Sequence, residues 1–301
     1  VPVLRHEGEG SRGWFPRLWW PEKAILVYQA FLLGALLPHA RQVESLGNVL
    51  LALLFAIGLM LICRSARPTS QPLQGFCEWG YLYLVVVINY LVTCHLIPYY
   101  RTVDYDFPLS RLDQALFGVD TAWWGDTLNR PWVVEIFTWG YLSYYFFGLA
   151  MTLPIYMRYG THSRPFREAY IAISTSFYLT YIGYWIFPAK GPRIFWEDYL
   201  EPLKGLFLSA HVFSSMDAVE RGFPDAFPSE HTAFSLVMLF MLWRHDKNTF
   251  RFMLPWGVLA VGATVVLRYH WIVDVLAGTV LAAAVCAFSV WAGAKEPGRN
   301  R

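Results

Sequence analysis

The sequence predicts an all-α, polytopic membrane bundle of about eight transmembrane helices. Hydrophobic types make up 56% of its 301 residues and charged types only 15%, against about 45–50% and about 25% in a soluble domain. Eight apolar runs approach or reach the length needed to cross a bilayer core, roughly 20 residues per helix. Tryptophan and tyrosine gather at the run ends, at Trp19, Trp20, Trp79, Tyr99, Tyr100, Trp132 and Trp243, as in an aromatic belt. This composition excludes disorder, which needs low hydrophobicity and high charge. With 24 Lys+Arg against 22 Asp+Glu, no strong positive field is available for nucleic acid.

In order, the runs are 24–40, 46–63, 79–98, 132–157, 168–188, 230–244, 253–268 and 271–293. The sixth and seventh are short, and their polar ends need protein or a wet pocket beside them. Residues 41–45 and 245–251 read as short connections. The segment 99–131 carries Asp104, Tyr105, Asp106, Phe107, Trp123, Trp124 and Asp126 among turn formers, and reads as a lid or interfacial segment. Residues 203–214 are apolar but too short to span, which suits an interfacial position. The first 20 residues are basic and aromatic, without the apolar stretch of a signal peptide. Cys63, Cys77, Cys94 and Cys286 form no C-x-x-C pair. They read as small buried hydrophobes, without a disulfide framework or a zinc site.

Basic residues set the expected orientation. Fifteen of the 24 Lys+Arg fall on the side that holds both termini and residues 64–78, 158–167 and 244–252. The long segments 99–131 and 189–229 on the other side carry seven basic and eleven acidic residues. Both termini are therefore expected in the cytoplasm and both long segments outside, in a plasma membrane of bacterial inner-membrane type.

In a membrane the costly residues are the informative ones. Three polar stretches fall at the outer ends of the last four runs: Pro188-Ala189-Lys190-Gly191-Pro192-Arg193, Phe227-Pro228-Ser229-Glu230-His231-Thr232, and Arg268-Tyr269-His270-Trp271-Ile272-Val273-Asp274. Lys190 and Arg193 offer a point charge and a planar fork of donors, which suit a phosphate; the bland alternative is interfacial snorkelling. Ser229 is a natural N-cap, and the helix start beyond it favours an anion; alone it is equally a plain cap. His270 and Asp274 share a helical face at i, i+4, so the carboxylate can hold the imidazole in one tautomer. Arg268 adds an anion donor. Glu230 is either a head-group contact or an acid favoured by the helix dipole.

The set contains two histidines, three cations and one aspartate, without a Cys nucleophile, G-x-S-x-G elbow, H-E-x-x-H run or P-loop. An imidazole nucleophile with a second imidazole as acid accounts for it without a metal or other cofactor. His270 would attack phosphorus and His231 would protonate the leaving oxygen. Lys190, Arg193, Arg268 and the amides near Ser229 would hold the phosphoryl oxygens.

These stretches resemble the signature motifs of the type-2 phosphatidic acid phosphatase superfamily. Pro228, Ser229 and His231 match its Pro-Ser-Gly-His motif, and His270 and Asp274 match its His-x-x-x-Asp motif. The following Val275-Leu276-Ala277-Gly278 is also similar to it. The resemblance covers roughly 188–278. It implies His270 as nucleophile, His231 as general acid, Asp274 as orienting residue and a six-helix phosphatase-type core. The spacing of Lys190 and Arg193, Ile194 in place of a proline, Glu230 in place of glycine, and Ala263-Thr264 in place of a Ser-Arg pair look like the branch with inositol-phosphorylceramide synthases. That branch includes head-group transfer. The expected organisation is a basic N-terminal segment with two extra transmembrane helices at 1–78, a membrane-embedded catalytic core at 79–294, and a cytoplasmic tail at 295–301.

The leading expectation is a lipid phosphate phosphatase that uses a phosphohistidine and no metal. Transfer of a phospho-head group to a second lipid alcohol is the alternative. A transporter or lipid-binding protein holding an anion without chemistry is the alternative from another class. It does not call for a His–Asp pair or a second histidine.

Overall fold

The computed structural model describes residues 18–66, 69–101, 103–220 and 222–295. The basic N-terminal stretch 1–17 and all but the first residue of the expected tail 295–301 lie outside the described residues. The described chain is all-helical, with 79% helix and no strand among the described residues. The eleven principal helices are α1 (Trp20–His39), α2 (Leu46–Ser65), α3 (Gln71–Tyr99), α4 (Asp106–Phe117), α5 (Pro131–Ser143), α6 (Phe147–Tyr159), α7 (Arg164–Ile186), α8 (Leu208–Glu220), α9 (Glu230–His245), α10 (Lys247–Val266) and α11 (Ile272–Lys295). Four of them, α2, α3, α10 and α11, are long and apolar enough to cross a membrane.

Every expected apolar run is helical, with three local corrections. The run 132–157 is two helices joined by a tight turn at Tyr144–Phe146. Ser143 returns its hydroxyl to the Gly140 carbonyl at 2.6 Å, which competes with the helical ladder. The connection 245–251 shrinks to Asp246, whose side chain accepts from the amides of Asn248 and Thr249 and starts α10 six residues earlier than the run. The segment 99–131 is not a loose lid: it folds into α4, ended by Gly118 at φ 78°, where glycine carries no steric penalty.

The central helix is α7, packed against α1, α3, α6, α9 and α11. Its buried face runs through Phe166, Tyr170, Ile173 and Tyr181. Helices α1 and α3 are pinned to it by buried polar contacts as well as by packing. Gln29 donates to Asn89 at 2.6 Å, and Asn89 donates to the Tyr178 hydroxyl at 3.1 Å. One chain of bonds thus ties α1, α3 and α7 among buried side chains. At one end of the bundle, buried Glu168 of α7 accepts from Arg164, Arg244 and His245 at 2.7, 2.8 and 2.8 Å. All four cysteines are buried free thiols, as expected.

A smaller core sits at the opposite end. Leu109 of α4 packs with Ala189, Ala226, Trp271 and Val273. Every partner in it belongs to, or directly precedes, one of the three polar stretches. There α11 crosses the start of α9 at Gly278, where a Cβ would lie 2.5 Å from the Ser229 carbonyl oxygen. A side chain at that position would push the two helices apart.

Candidate functional site

The three polar stretches meet, and main-chain bonds join them pairwise. The Ala226 amide, directly before the second stretch, donates to the Ala189 carbonyl at 2.8 Å and so links it to the first. The Arg193 amide donates to the Arg268 carbonyl at 2.8 Å, linking first and third. The Ser229 amide donates to the Asp274 carbonyl at 3.1 Å, linking second and third. A closed triangle of peptide groups fixes the frame before any side chain is considered. Gly191 lets the first stretch come close, since a Cβ there would meet the Tyr269 carbonyl oxygen at 2.2 Å, and its φ is 87°.

Side chains from this frame open into a cavity of about 630 Å³. Lys190, Arg193, Asp225, Glu230, His231 and His270 line its head. Its body is aromatic, between α3 on one side and α5, α6 and α7 on the other, with Tyr83, Tyr144, Tyr156 and Phe177 among its walls. The lining on α3 runs from Gln71 to Tyr90, about 28 Å at ~1.5 Å per helical residue. That approaches the roughly 30 Å of a bilayer core.

His270 is buried, and its Nδ1 lies 2.7 Å from the Ala226 carbonyl oxygen and 3.4 Å from Asp274 Oδ2. A carbonyl can only accept, so Nδ1 carries a proton, and the neutral ring has its lone pair on Nε2. Asp274 is fully buried; Oδ2 also accepts the Trp271 amide at 3.0 Å, while Oδ1 has no hydrogen-bond partner. The His231 ring is 5.9 Å from the His270 ring, centroid to centroid. It stacks on Tyr141 at 4.4 Å and against Tyr144 at 4.1 Å, and its buried Nε2 has no partner. The tight turn after Ser143 thus delivers Tyr144 to the face of His231.

The remaining expected residues divide. Lys190 is exposed to the cavity, with Nζ 3.8 Å from Asp104. Arg193 donates to the Tyr269 hydroxyl at 2.6 Å and lies over the Phe213 ring at 4.6 Å. Ser229 spends its hydroxyl on the Thr232 amide at 3.3 Å as an N-cap and does not line the cavity. Glu230 does line it, but the hydroxyls of Ser176 and Thr180 bond its carboxylate. Arg268 is not brought to the cavity. Its guanidinium is buried, bonded to the Asp126 carboxylate and to the Glu201 carbonyl. Burial lowers its pKa from the ordinary arginine value, with Asp126 opposing that shift. Arg268 and Arg193 instead share a second, polar cavity of about 400 Å³ with Glu197, Asp198, Glu201 and Phe213.

Four acids escaped the sequence reading. Asp225 lines the cavity and accepts from Tyr90 of α3 at 2.5 Å, and burial pushes its carboxyl up. Asp106 accepts the amides of Lys190 and Gly191 at 2.9 Å each. Asp113 accepts those of Ile272 and Val273 at 3.2 and 2.9 Å. Asp126 holds Arg268. Asp106, Asp113 and Asp126 stand in the segment 99–131, which reads as a lid or interfacial segment, and Asp225 stands in the long segment 189–229; no motif or spacing gave any of the four a role.

These features define a helical protein with a histidine-and-cation head on an aromatic slot, carried partly by helices of membrane-spanning length. A family model described as the PAP2 superfamily matches residues 108–288, more than half of the chain, and the chain belongs to that superfamily. Members are phosphatases or phosphotransferases, so the chain is in general terms a phosphatase-type enzyme for lipid phosphates. The match begins inside α4 and leaves α1–α3 outside it, although α3 lines the cavity. No curated protein and no solved structure matches the chain.

Proposed function

We propose that the protein is an integral membrane lipid phosphate phosphatase that works through a phosphohistidine on His270, without a metal. The observation that carries this reading is the state of that ring. Nδ1 is committed to the Ala226 carbonyl beside Asp274, which leaves Nε2 as the nucleophile in a cavity that also holds His231, Lys190 and Arg193. Nε2 attacks phosphorus, the bond from phosphorus to the lipid oxygen breaks, and protonated His231 gives that oxygen its proton. Neutral His231 then takes a proton from water, whose oxygen attacks phosphorus and releases phosphate and free His270. Lys190 and Arg193 offset the phosphoryl charge, with the dipole at the start of α9 behind them. Asp274 steadies the imidazolium character that develops on His270. Ser229 acts through the helix start that it caps, and Arg268 through its carbonyl bond to the Arg193 amide. Glu230, held by two hydroxyls, marks the join between the head group and the aromatic slot, which takes the lipid tail.

The proposed organisation has eight spans, with six from 79–294 as the catalytic core and two from 1–78 as additions. Both termini are cytoplasmic, and the site opens to the outside of a plasma membrane of bacterial inner-membrane type. Two features support this. All eight apolar runs are helical, and Arg164 and Arg244 gather on Glu168 at the end of α7 opposite the histidines. The second reading is phospho-head-group transfer to a lipid alcohol, close to the inositol-phosphorylceramide synthase-like branch. It is favoured by the polar cavity that adjoins the site through Arg193, which suits a hydroxylated group.

A labelled lipid phosphate tests both readings. Wild type releases inorganic phosphate in the presence of a chelator, and His270→Ala loses about 10³-fold or more of kcat while remaining folded. Label collected in a second lipid establishes transfer instead. Equal turnover by His270→Ala and wild type overturns the site assignment.

A further inference from the structure

Helix α4 lies outside the main bundle core, yet it holds two of the three polar stretches by their main chain. Asp106 and Asp113 are seven residues apart, two helical turns on one face. Between them on that face stand Leu109, packed in the small core, and Ser110, which donates to Asp120 at 2.5 Å. Asp106 is 1% exposed and takes the amides of Lys190 and Gly191. Asp113 is wholly buried and takes the amides of Ile272 and Val273, the first two residues of α11. A helix leaves its first four N–H groups without intrahelical partners. Two of those at the start of α11 are met by a carboxylate from a helix about 160 residues earlier in the chain. His270 precedes that helix start by two residues.

We propose that Asp113, with Asp106 as its counterpart, is a positioning residue: α4 caps α11 from outside and so fixes the His270 ring against the Lys190 stretch. The proposal rests on His270 being the nucleophile. A carboxylate is the group that fits, since it accepts both amides of α11 at once. An asparagine offers a single acceptor oxygen and turns an N–H group toward an N–H group. The start of α11 then shifts toward other partners, because a buried unpaired amide is costly. His270 moves with it, away from the Ala226 carbonyl and out of line with phosphorus. Loss of about 1 Å of alignment costs on the order of 10²-fold in rate.

The test compares the full-length wild type, Asp113→Asn, Asp106→Asn and the packing variant Leu109→Ala in detergent, with a short-chain lipid phosphate. It reads kcat, KM, melting temperature and the acid-quenched rate of phosphohistidine formation. Asp113→Asn is expected to lose about 10²-fold in kcat and in phosphoenzyme formation, with KM within about threefold of wild type. Leu109→Ala loses at least as much melting temperature and keeps kcat within about threefold. Asp113→Glu, which restores two acceptors, recovers part of the rate. The proposal is overturned if Asp113→Asn loses no more kcat than Leu109→Ala, or if its loss lies wholly in KM. Should Asp113→Asn not fold, Asp106→Asn decides by the same criteria. A wild type that turns over without any phosphohistidine overturns the underlying reading as well.

Discussion

The two ends of the bundle use nearly the same residue types to opposite effect. Around Glu168 a buried carboxylate meets two arginines and a histidine, and each of these three donates to it. Around the cavity head a buried carboxylate meets His270, a second histidine and two cations line the same space, and hydrogen-bonding positions are left open. Asp274 Oδ1 and His231 Nε2 have no partner, and both histidines face a cavity. A closed cluster clamps α7 to α9, whereas an open one has capacity left for a substrate. Composition does not separate structural from chemical charge here; the cavity beside the two histidines does.

The largest effect expected, after the loss of His270 itself, is at His231. His231→Asn should lower kcat by about 10²–10³-fold, and single-turnover measurements should put the loss in both formation and hydrolysis of the phosphoenzyme. The wild-type profile should be a bell, because His270 must be neutral and His231 protonated. His231→Asn should lose the alkaline limb. A flat wild-type profile in the chemical step would break the two-imidazole account and with it the contrast between the two ends.

The opposite end should respond in stability and not in rate. Glu168→Gln leaves Arg164 and Arg244 without their counter-charge, at a cost of about 2 kcal/mol once the partial exposure of both arginines is allowed for. Melting in detergent should fall by several degrees, with kcat unchanged. A loss of kcat at constant melting temperature would mean that the two ends are coupled.

The smallest effect concerns how stability responds to pH at Asp106. Burial pushes the Asp106 carboxyl up from 3.8 to about 7, against the pull of the Lys190 and Gly191 amides. A carboxyl raised in the folded state favours the protonated fold. Its stabilisation is complete below about 3.8 and is lost as pH rises through about 7. Asp106→Asn should therefore flatten the fall in melting temperature across that window. An unchanged slope would assign the pH dependence to other carboxyls, such as Asp225.

Much of this molecule was legible in the sequence, for physical reasons that differ between its parts. Apolar runs found the helices because burial and lipid both demand them. The His270–Asp274 spacing found a local pair because helical geometry fixes it. Arg268 misled, since two residues of separation from His270 suggested a shared target. Its backbone adopts φ 63°, and the side chain turns to Asp126, 142 residues away in sequence. Asp106, Asp113 and Asp225 were invisible for a related reason. Their partners stand 84, 160 and 135 residues away, and no periodicity reports such a pairing. The division of α5 from α6 was hidden too, because a tight turn of aromatic residues is as apolar as the helix that it interrupts.

The triangle of main-chain hydrogen bonds between Ala189, Ala226, Arg193, Arg268, Ser229 and Asp274 also bears on how the site can vary. Alanine at any of these six residues leaves it in place, since cutting back a side chain removes no amide or carbonyl. Proline alone erases a donor, and at 193, 226 or 229 it would take out one edge. The side chains displayed on this frame can therefore change without loss of its three hydrogen bonds, so long as proline stays out of positions 193, 226 and 229 and Gly191 and Gly278 remain bare.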